Sequence, residues 1–309
     1  MIAMAQHSYD VVIVGGGAAG LSAALVLGRA RRTVAVVDAG APRNAPAAHM
    51  QGFLSRDGIP PADLLALGRA EVTGYGVEIV DGVVTRIEPG FVVHLATGRR
   101  LEARSILVTT GVRDELPDIS GARERWGRDL LHCPYCHGWE VRDQALGVLG
   151  THSGAVAHAL LVRQWSDDVV YFAHGREPSA SERAQLTACG IRVVDGEVAG
   201  LVVEQDRLVA VELAGGVIVP RSAVFIRPRN VAHPDGLLGG LGVDVDRDGL
   251  AVVDRDGRTS TPGVSAAGNV VDPRASVIAA AGAAATAAMA INADLVAADV
   301  RRSSSVPAA

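Results

Sequence analysis

Residues 11–38 read VVIVGGGAAGLSAALVLGRARRTVAVVD, and this stretch decides the fold. Residues 11–14 are a short, wholly apolar run, the mark of a parallel strand buried on both faces. Gly15-x-Gly17-x-x-Gly20 follows at once. Residues 21–31 then read as a helix with a small, apolar inner face, and residues 33–37 as a second buried strand closed by Asp38. Strand, glycine turn, helix, strand, acid is the order of a dinucleotide-binding unit. The glycines permit a tight turn and let a pyrophosphate approach the backbone. The helix N-terminus favours the phosphate charge, and the acid 18 residues after Gly20 accepts ribose hydroxyls.

Outward from this unit, residues 41–61 hold four prolines and read as a loop. Residues 61–74 read as a helix, 77–101 as short strands and turns, and 105–110 as another apolar strand before Gly111. Residues 116–121 read as a linker. A second unit then begins: strand 145–149, helix 154–165, strand Val169–Phe172, helix 182–189 and strand 191–194. Residues 202–219 alternate like a small antiparallel patch, and 224–226 form one more strand. A turn-rich stretch leads to the small-residue segment 263–268 and an Ala-rich helix. Two strand–helix–strand starts in one chain predict an α/β protein with two doubly wound, Rossmann-like parallel sheets.

The second motif is Cys133-Pro134-Tyr135-Cys136-His137-Gly138. Two cysteines at this spacing form an exchangeable disulfide with a lowered thiol pKa. No second pair and no histidine pair at metal spacing accompanies them, so no metal site is expected. His132 and His137 flank the cysteines, and an imidazole there can accept a thiol proton near neutral pH. His137 abuts the second sulfur and is the preferred base, with His132 the other candidate. Cys189, alone before Gly190, reads as an ordinary semi-buried thiol.

Composition narrows the classes. The 309 residues suit two domains, and a net charge of -5 offers no electrostatic case for nucleic acid or an anionic membrane. All 29 basic residues are arginine, which excludes lysine Schiff-base chemistry and a P-loop lysine. The N-terminus has no positive region before its apolar run, so a cytoplasmic protein is expected. The Ala-rich stretch 277–296 is the one candidate membrane span, but Gly282, Thr286, Asn292 and Asp294 interrupt it, and it reads as a buried helix. Three cysteines make no structural disulfide framework.

The order of these features resembles the low-molecular-weight thioredoxin reductases over residues 9–298. The resemblance is carried by GGGAAGLSAAL at 15–25, Ala39-Gly-x-Pro-Arg43-Asn44, Thr110-Gly111, Trp126-Gly127-Arg128 before the cysteine pair, and AAGN at 266–269. It implies an FAD domain, residues 1–116 and 247–309, interrupted by an NAD(P)-type domain at 117–246 that carries the cysteines. It implies FAD as cofactor. Gly15, Gly17, Ala18, Ala19, Gly20 and Asp38 would hold the adenosine diphosphate half, with Ala39, Arg43, Asn44 and Gly111 nearby. Asn269, next to Gly268, would contact the ribityl chain, and Ser276 and Val277 would run beside the flavin ring. Cys136 would lie under the flavin and Cys133 would meet substrate. A homodimer is also implied.

Four departures stand out. His137 replaces an Asp usual after the second cysteine, and Asn269 replaces another Asp. In the second dinucleotide turn, His152 occupies the middle glycine position between Gly150 and Ala155. Ala173-His174-Gly175 stands where paired arginines for a 2′-phosphate are usual, with Arg176 one step late. A CPYCHG motif beside an altered nicotinamide site is similar to the flavin-dependent dithiol oxidases of holomycin-, gliotoxin- and romidepsin-type pathways. That similarity implies that Cys133, Cys136, His137 and His132 close an intramolecular disulfide in a small-molecule dithiol, with FAD passing electrons to O2 to give H2O2. The alternatives are an NADPH-dependent, thioredoxin reductase-like disulfide reductase, a flavoprotein fed by ferredoxin or a second flavoprotein, and a flavin-bearing sensor without turnover.

Overall fold

The computed structural model describes residues 7–233 and 236–304. Its first sheet is built on the strand His7–Val14, whose residues 11–14 are almost completely buried. Val34–Asp38 pairs with it in parallel on one side and Arg100–Val108 on the other. Glu78–Asp81 extends the sheet beyond Val34–Asp38. Late in the chain, Val264–Ala266 returns to pair in parallel with Arg100–Val108. Two antiparallel strands, Val84–Glu88 and Val92–Leu95, complete it.

The helix Ala18–Arg29 starts at Gly17 with no side-chain cap and packs against the C-terminal helix Val277–Ser304. Ala23, Ala24 and Leu27 meet Ala284, Ala287, Ala288 and Ile291 there. Small side chains on both helices let the axes approach, and fully burying Leu27 contributes about 1.5–3 kcal/mol. By length and composition Val277–Ser304 is apolar enough to cross a membrane. Its inner face belongs to this core, and Arg32 and Arg258 engage its Asn292 and Asp294. The sequence reading of a buried helix holds for one face only, because Ile278, Met289, Val296 and Val300 are exposed.

The second sheet orders Arg192–Val194, Val169–Phe172, Leu146–Leu149, Ala223–Phe225 and Leu130–Leu131, all parallel. Helices Ala155–Val162 and Ala180–Ala188 accompany it, the second opened by a Ser179/Glu182 capping box. Val198–Glu204, Arg207–Leu213 and Ile218–Pro220 form the antiparallel patch. The chain therefore adopts a mixed α/β architecture with two Rossmann-like sheets, the second all parallel and the first parallel at its core with two antiparallel strands at one edge. Between the sheets runs a two-stranded antiparallel ribbon, Arg113–Glu115 with Arg229–Val231. It escapes sequence reading because strands of three residues, RDE and RNV, are too short to show a periodicity.

Candidate active site

Both units open onto one cavity of 820 Å³. Its lining includes Gly15, Gly17, Ala18, Ala19 and Asp38, together with Cys133, Cys136, His132, His137, Asn269, Ser276 and Val277. Ala39, Arg43, Asn44 and Gly111 also line it. Gly20 and Gly268 do not. A Cβ on Gly20 would fall 1.9 Å from the Gly15 carbonyl oxygen, and one on Gly268 would meet the Ala19 Cβ at 2.9 Å. These two glycines let the walls pack from behind. Gly15 itself needs φ +111°, open to glycine alone among common residues.

The turn end suits a dinucleotide. The helix start at Gly17 carries no side-chain cap and no acid in its first turn, which leaves its N–H groups for a pyrophosphate. Asp38 accepts from the Gly40 N–H at 3.2 Å and pairs with Arg69 of the helix Pro61–Thr73. Asn269 spends its Nδ2 on the carbonyls of Asp272 and Ala275, both at 3.0 Å. Its oxygen remains to accept a ribityl hydroxyl. Arg43 is committed to protein: it donates to Asp114 and to the Pro273 carbonyl, the latter at 2.7 Å.

Cys133 and Cys136, which also line the cavity, are joined as a disulfide. Pro134 opens a single helical turn, Pro134–His137, and the N–H groups of Cys136 and His137 both donate to the Cys133 carbonyl at 3.1 Å. Gly127 presses this unit against the first: a Cβ there would lie 2.9 Å from Pro46. Burial pushes the His137 imidazole below its ordinary value, with Glu140 opposing. Burial, then the charge of Arg43, pushes His132 down to about 4. Both rings are thus neutral at pH 7 and able to accept a proton. Both line the cavity beside the cysteine pair. Cys189, expected semi-buried, is exposed instead. Among the described residues no group of three His, Cys, Asp or Glu side chains is placed to hold a metal.

The second dinucleotide turn is approached by one of its own side chains and by two from neighbouring strands. His152 Nδ1 accepts from the Gly154 N–H at 2.9 Å. Arg227 lies over Gly154, and the Tyr171 hydroxyl lies over Gly150, where an added Cβ would meet it at 2.5 Å. Arg176 is paired with Glu182 at 2.9 Å. Sequence reading singles out His152 and Arg176 but not Arg227, whose segment FIRPRN reads only as a strand end running into turns.

Comparison with known proteins agrees with this geometry. The model of the pyridine nucleotide-disulphide oxidoreductases matches residues 9–289. The solved structure of HlmI is 57% identical, covers 96% of each chain and superposes with a TM-score of 0.93. An oxidoreductase from Agrobacterium tumefaciens is 36% identical over 94% of this chain and 99% of that one, with a TM-score of 0.88. Thioredoxin reductase sirT of Leptosphaeria maculans is 36% identical over 46% of this chain and 46% of that protein. Thioredoxin reductase tcpT of Claviceps purpurea is 36% identical over 56% and 58% respectively. The chain thus aligns with about half the length of these curated relatives. On this evidence the chain belongs to the pyridine nucleotide-disulphide oxidoreductases, as an FAD-dependent, thioredoxin reductase-like flavoprotein enzyme.

Proposed function

We propose that this flavoprotein is a dithiol oxidase that closes an intramolecular disulfide in a small-molecule dithiol and delivers the electrons to O2. One observation carries the reading. The disulfide stands on the wall of the flavin cavity while the second dinucleotide turn is occupied by His152 and Arg227. A route in from a dithiol is present, and the usual backbone seat for a nicotinamide dinucleotide is taken.

The chain's residues then act as follows. His137 takes the proton of one substrate thiol. The thiolate attacks Sγ of Cys133, and Cys136 leaves as thiolate. The second substrate thiol attacks the substrate sulfur of the mixed disulfide and releases Cys133. One S–S bond forms in the substrate and one breaks in the protein, so two electrons and two protons reach the cysteine pair. FAD held in the cavity would supply the two-electron acceptor for the reduced cysteine pair, with O2 as the final oxidant and H2O2 as its product. The proposal includes a cytoplasmic homodimer, the latter supported by the exposed apolar stripe Ile278, Met289, Val296 and Val300 on one helix face.

The test is anaerobic stopped-flow mixing of the FAD-loaded protein with NADPH and, separately, with a small 1,4-dithiol. The dithiol should bleach the flavin rapidly and NADPH should not. In air, each disulfide formed should consume one O2. Flavin reduction by NADPH at the turnover rate would replace the oxidase with an NADPH-dependent disulfide reductase.

A further inference from the structure

The second Rossmann-like unit keeps its strand Leu146–Leu149, its turn and its helix Ala155–Val162. Such a turn binds a dinucleotide by two means: bare glycine backbone that a pyrophosphate can approach, and free N–H groups at the helix start. Both are reduced here at Gly154. The Gly154 N–H is donated to His152 Nδ1 at 2.9 Å. The face of Gly154 is covered: a Cβ built there would lie 2.6 Å from Arg227 Nη1 and 3.4 Å from His152 Nδ1. Arg227 follows the strand Ala223–Phe225, the parallel neighbour of Leu146–Leu149, so its guanidinium reaches across the sheet end onto the turn.

We infer that Arg227, together with His152, is the specificity-determining plug that closes this turn to nicotinamide dinucleotides, an inference that rests on the oxidase reading above. The opposite role, Arg227 as a clamp that gathers the pyrophosphate, deserves weighing because a cation attracts it. Charge alone does not decide the matter. Binding at such a turn depends on contact with backbone N–H groups, and the guanidinium sits where that contact is made. The guanidinium lies with its Nη1 2.6 Å and its Cζ 3.6 Å from a Cβ built on Gly154, and its charge acts on His132, His152 and His158 around it. The neighbouring Arg176 adds no second charge for a 2′-phosphate, because Glu182 already takes it at 2.9 Å. A reopened turn would therefore accept NAD+ ahead of NADP+.

The experiment is calorimetric titration of FAD-loaded protein with NAD+ and with NADP+. It compares the wild type with His152→Gly, Arg227→Ala, Arg227→Lys and the double variant His152→Gly/Arg227→Ala. Thermal melting and bound FAD report folding for each. The double variant should gain at least about tenfold in NAD+ affinity, the scale of one recovered charge-assisted hydrogen bond. The single variants should gain part of this, and Arg227→Lys should gain least because its ammonium still reaches the Cζ position, 3.6 Å from a Cβ built on Gly154. If the double variant melts early or loses FAD, the two single variants carry the comparison. Tight binding to wild type that Arg227→Ala weakens would make Arg227 a clamp, and would remove the support for the oxidase as well. No gain in any variant, with no binding to wild type, would overturn the plug alone and leave the oxidase to its own stopped-flow test.

Discussion

Arg43 holds Asp114 through two hydrogen bonds, Nε to Oδ2 at 2.8 Å and Nη2 to Oδ1 at 2.7 Å. Asp114 lies on one strand of the ribbon that joins the two units. Asn230, on the other strand, donates to the same Oδ1 at 2.7 Å. Arg43 also reaches the Pro273 carbonyl in the loop before the C-terminal helix. One mostly buried carboxylate thus ties both chain crossings to the cavity wall. Removing Arg43 strands that charge. Arg43→Ala should cost about 3 kcal/mol in urea unfolding, and Asn230→Ala about 1 kcal/mol. The two losses should not add, because they share one acceptor. A loss near zero for Arg43→Ala would show that the ion pair contributes nothing to the union of the two units.

The cysteine roles make a spectroscopic prediction. Both sulfurs stand on the cavity wall, and the family resemblance puts Cys136 next to the flavin. Cys133→Ser should leave a Cys136 thiolate there and give the FAD-loaded protein a long-wavelength charge-transfer band. Cys136→Ser should give no such band and should abolish flavin reduction by dithiol. Exposed Cys189 should be silent when changed to Ser. A band that appears in Cys136→Ser instead would exchange the two roles.

Much of this arrangement is legible in the sequence, for a physical reason. The strand–turn–helix around Gly15, Gly17 and Gly20 is local, and its buried apolar strand and packed glycines leave a mark within a few residues. The cysteine pair is likewise local. What stays hidden is contact between distant segments. Nothing near Arg227 tells that its side chain rests on Gly154, and nothing near Asp114 tells that Arg43 and Asn230 converge on it. Periodicity reports which face of an element is buried, so it is silent on three-residue strands and on where a long guanidinium ends. It also overstates burial for the C-terminal helix, since alanine is apolar on both faces whether or not both are covered.

His137 carries the next prediction. It lines the cavity one residue after Cys136, and burial keeps it neutral at pH 7. His137→Ala should slow dithiol oxidation by about 10²–10⁴-fold, the usual scale for a lost general base. The deficit should shrink as pH rises, because substrate thiols then ionise unaided. In the wild type the rate should fall on the acid side, as the imidazole charges at a pH below its ordinary 6.5. A His137→Ala enzyme with the parental rate and pH profile would transfer the role to His132.

Acid sensitivity of the fold follows from His158. This residue is buried on the helix Ala155–Val162, edge-on to Phe225 with ring centroids 6.0 Å apart. Its Nδ1 has no hydrogen-bond partner among the described residues. Burial, then the charges of His132 and Arg227, pushes its imidazole down to about 3. In the unfolded chain the same group titrates near 6.5. Between those two values the unfolded chain binds a proton that the folded chain does not. The difference makes stability rise with pH through the window, and fall as pH drops below about 6.5. Above that value the group is neutral in both states and contributes no pH dependence. From pH 6.5 to 5 the loss from His158 should reach about 1.6 kcal/mol, the slope rising from half of 1.36 kcal/mol per unit at pH 6.5 to nearly all of it at pH 5. Carboxylates such as Asp10, held low by the Thr33 backbone and Arg104 against the upward push of burial, also lose stability in acid, but equally in a variant that leaves them intact. His158→Leu keeps an apolar body against Phe225 and removes the proton site. Urea midpoints at pH 7.5, 6.5 and 5.0 should therefore fall less steeply in His158→Leu than in the wild type. Parallel slopes would mean that His158 charges in place, with water or a backbone shift relieving its burial.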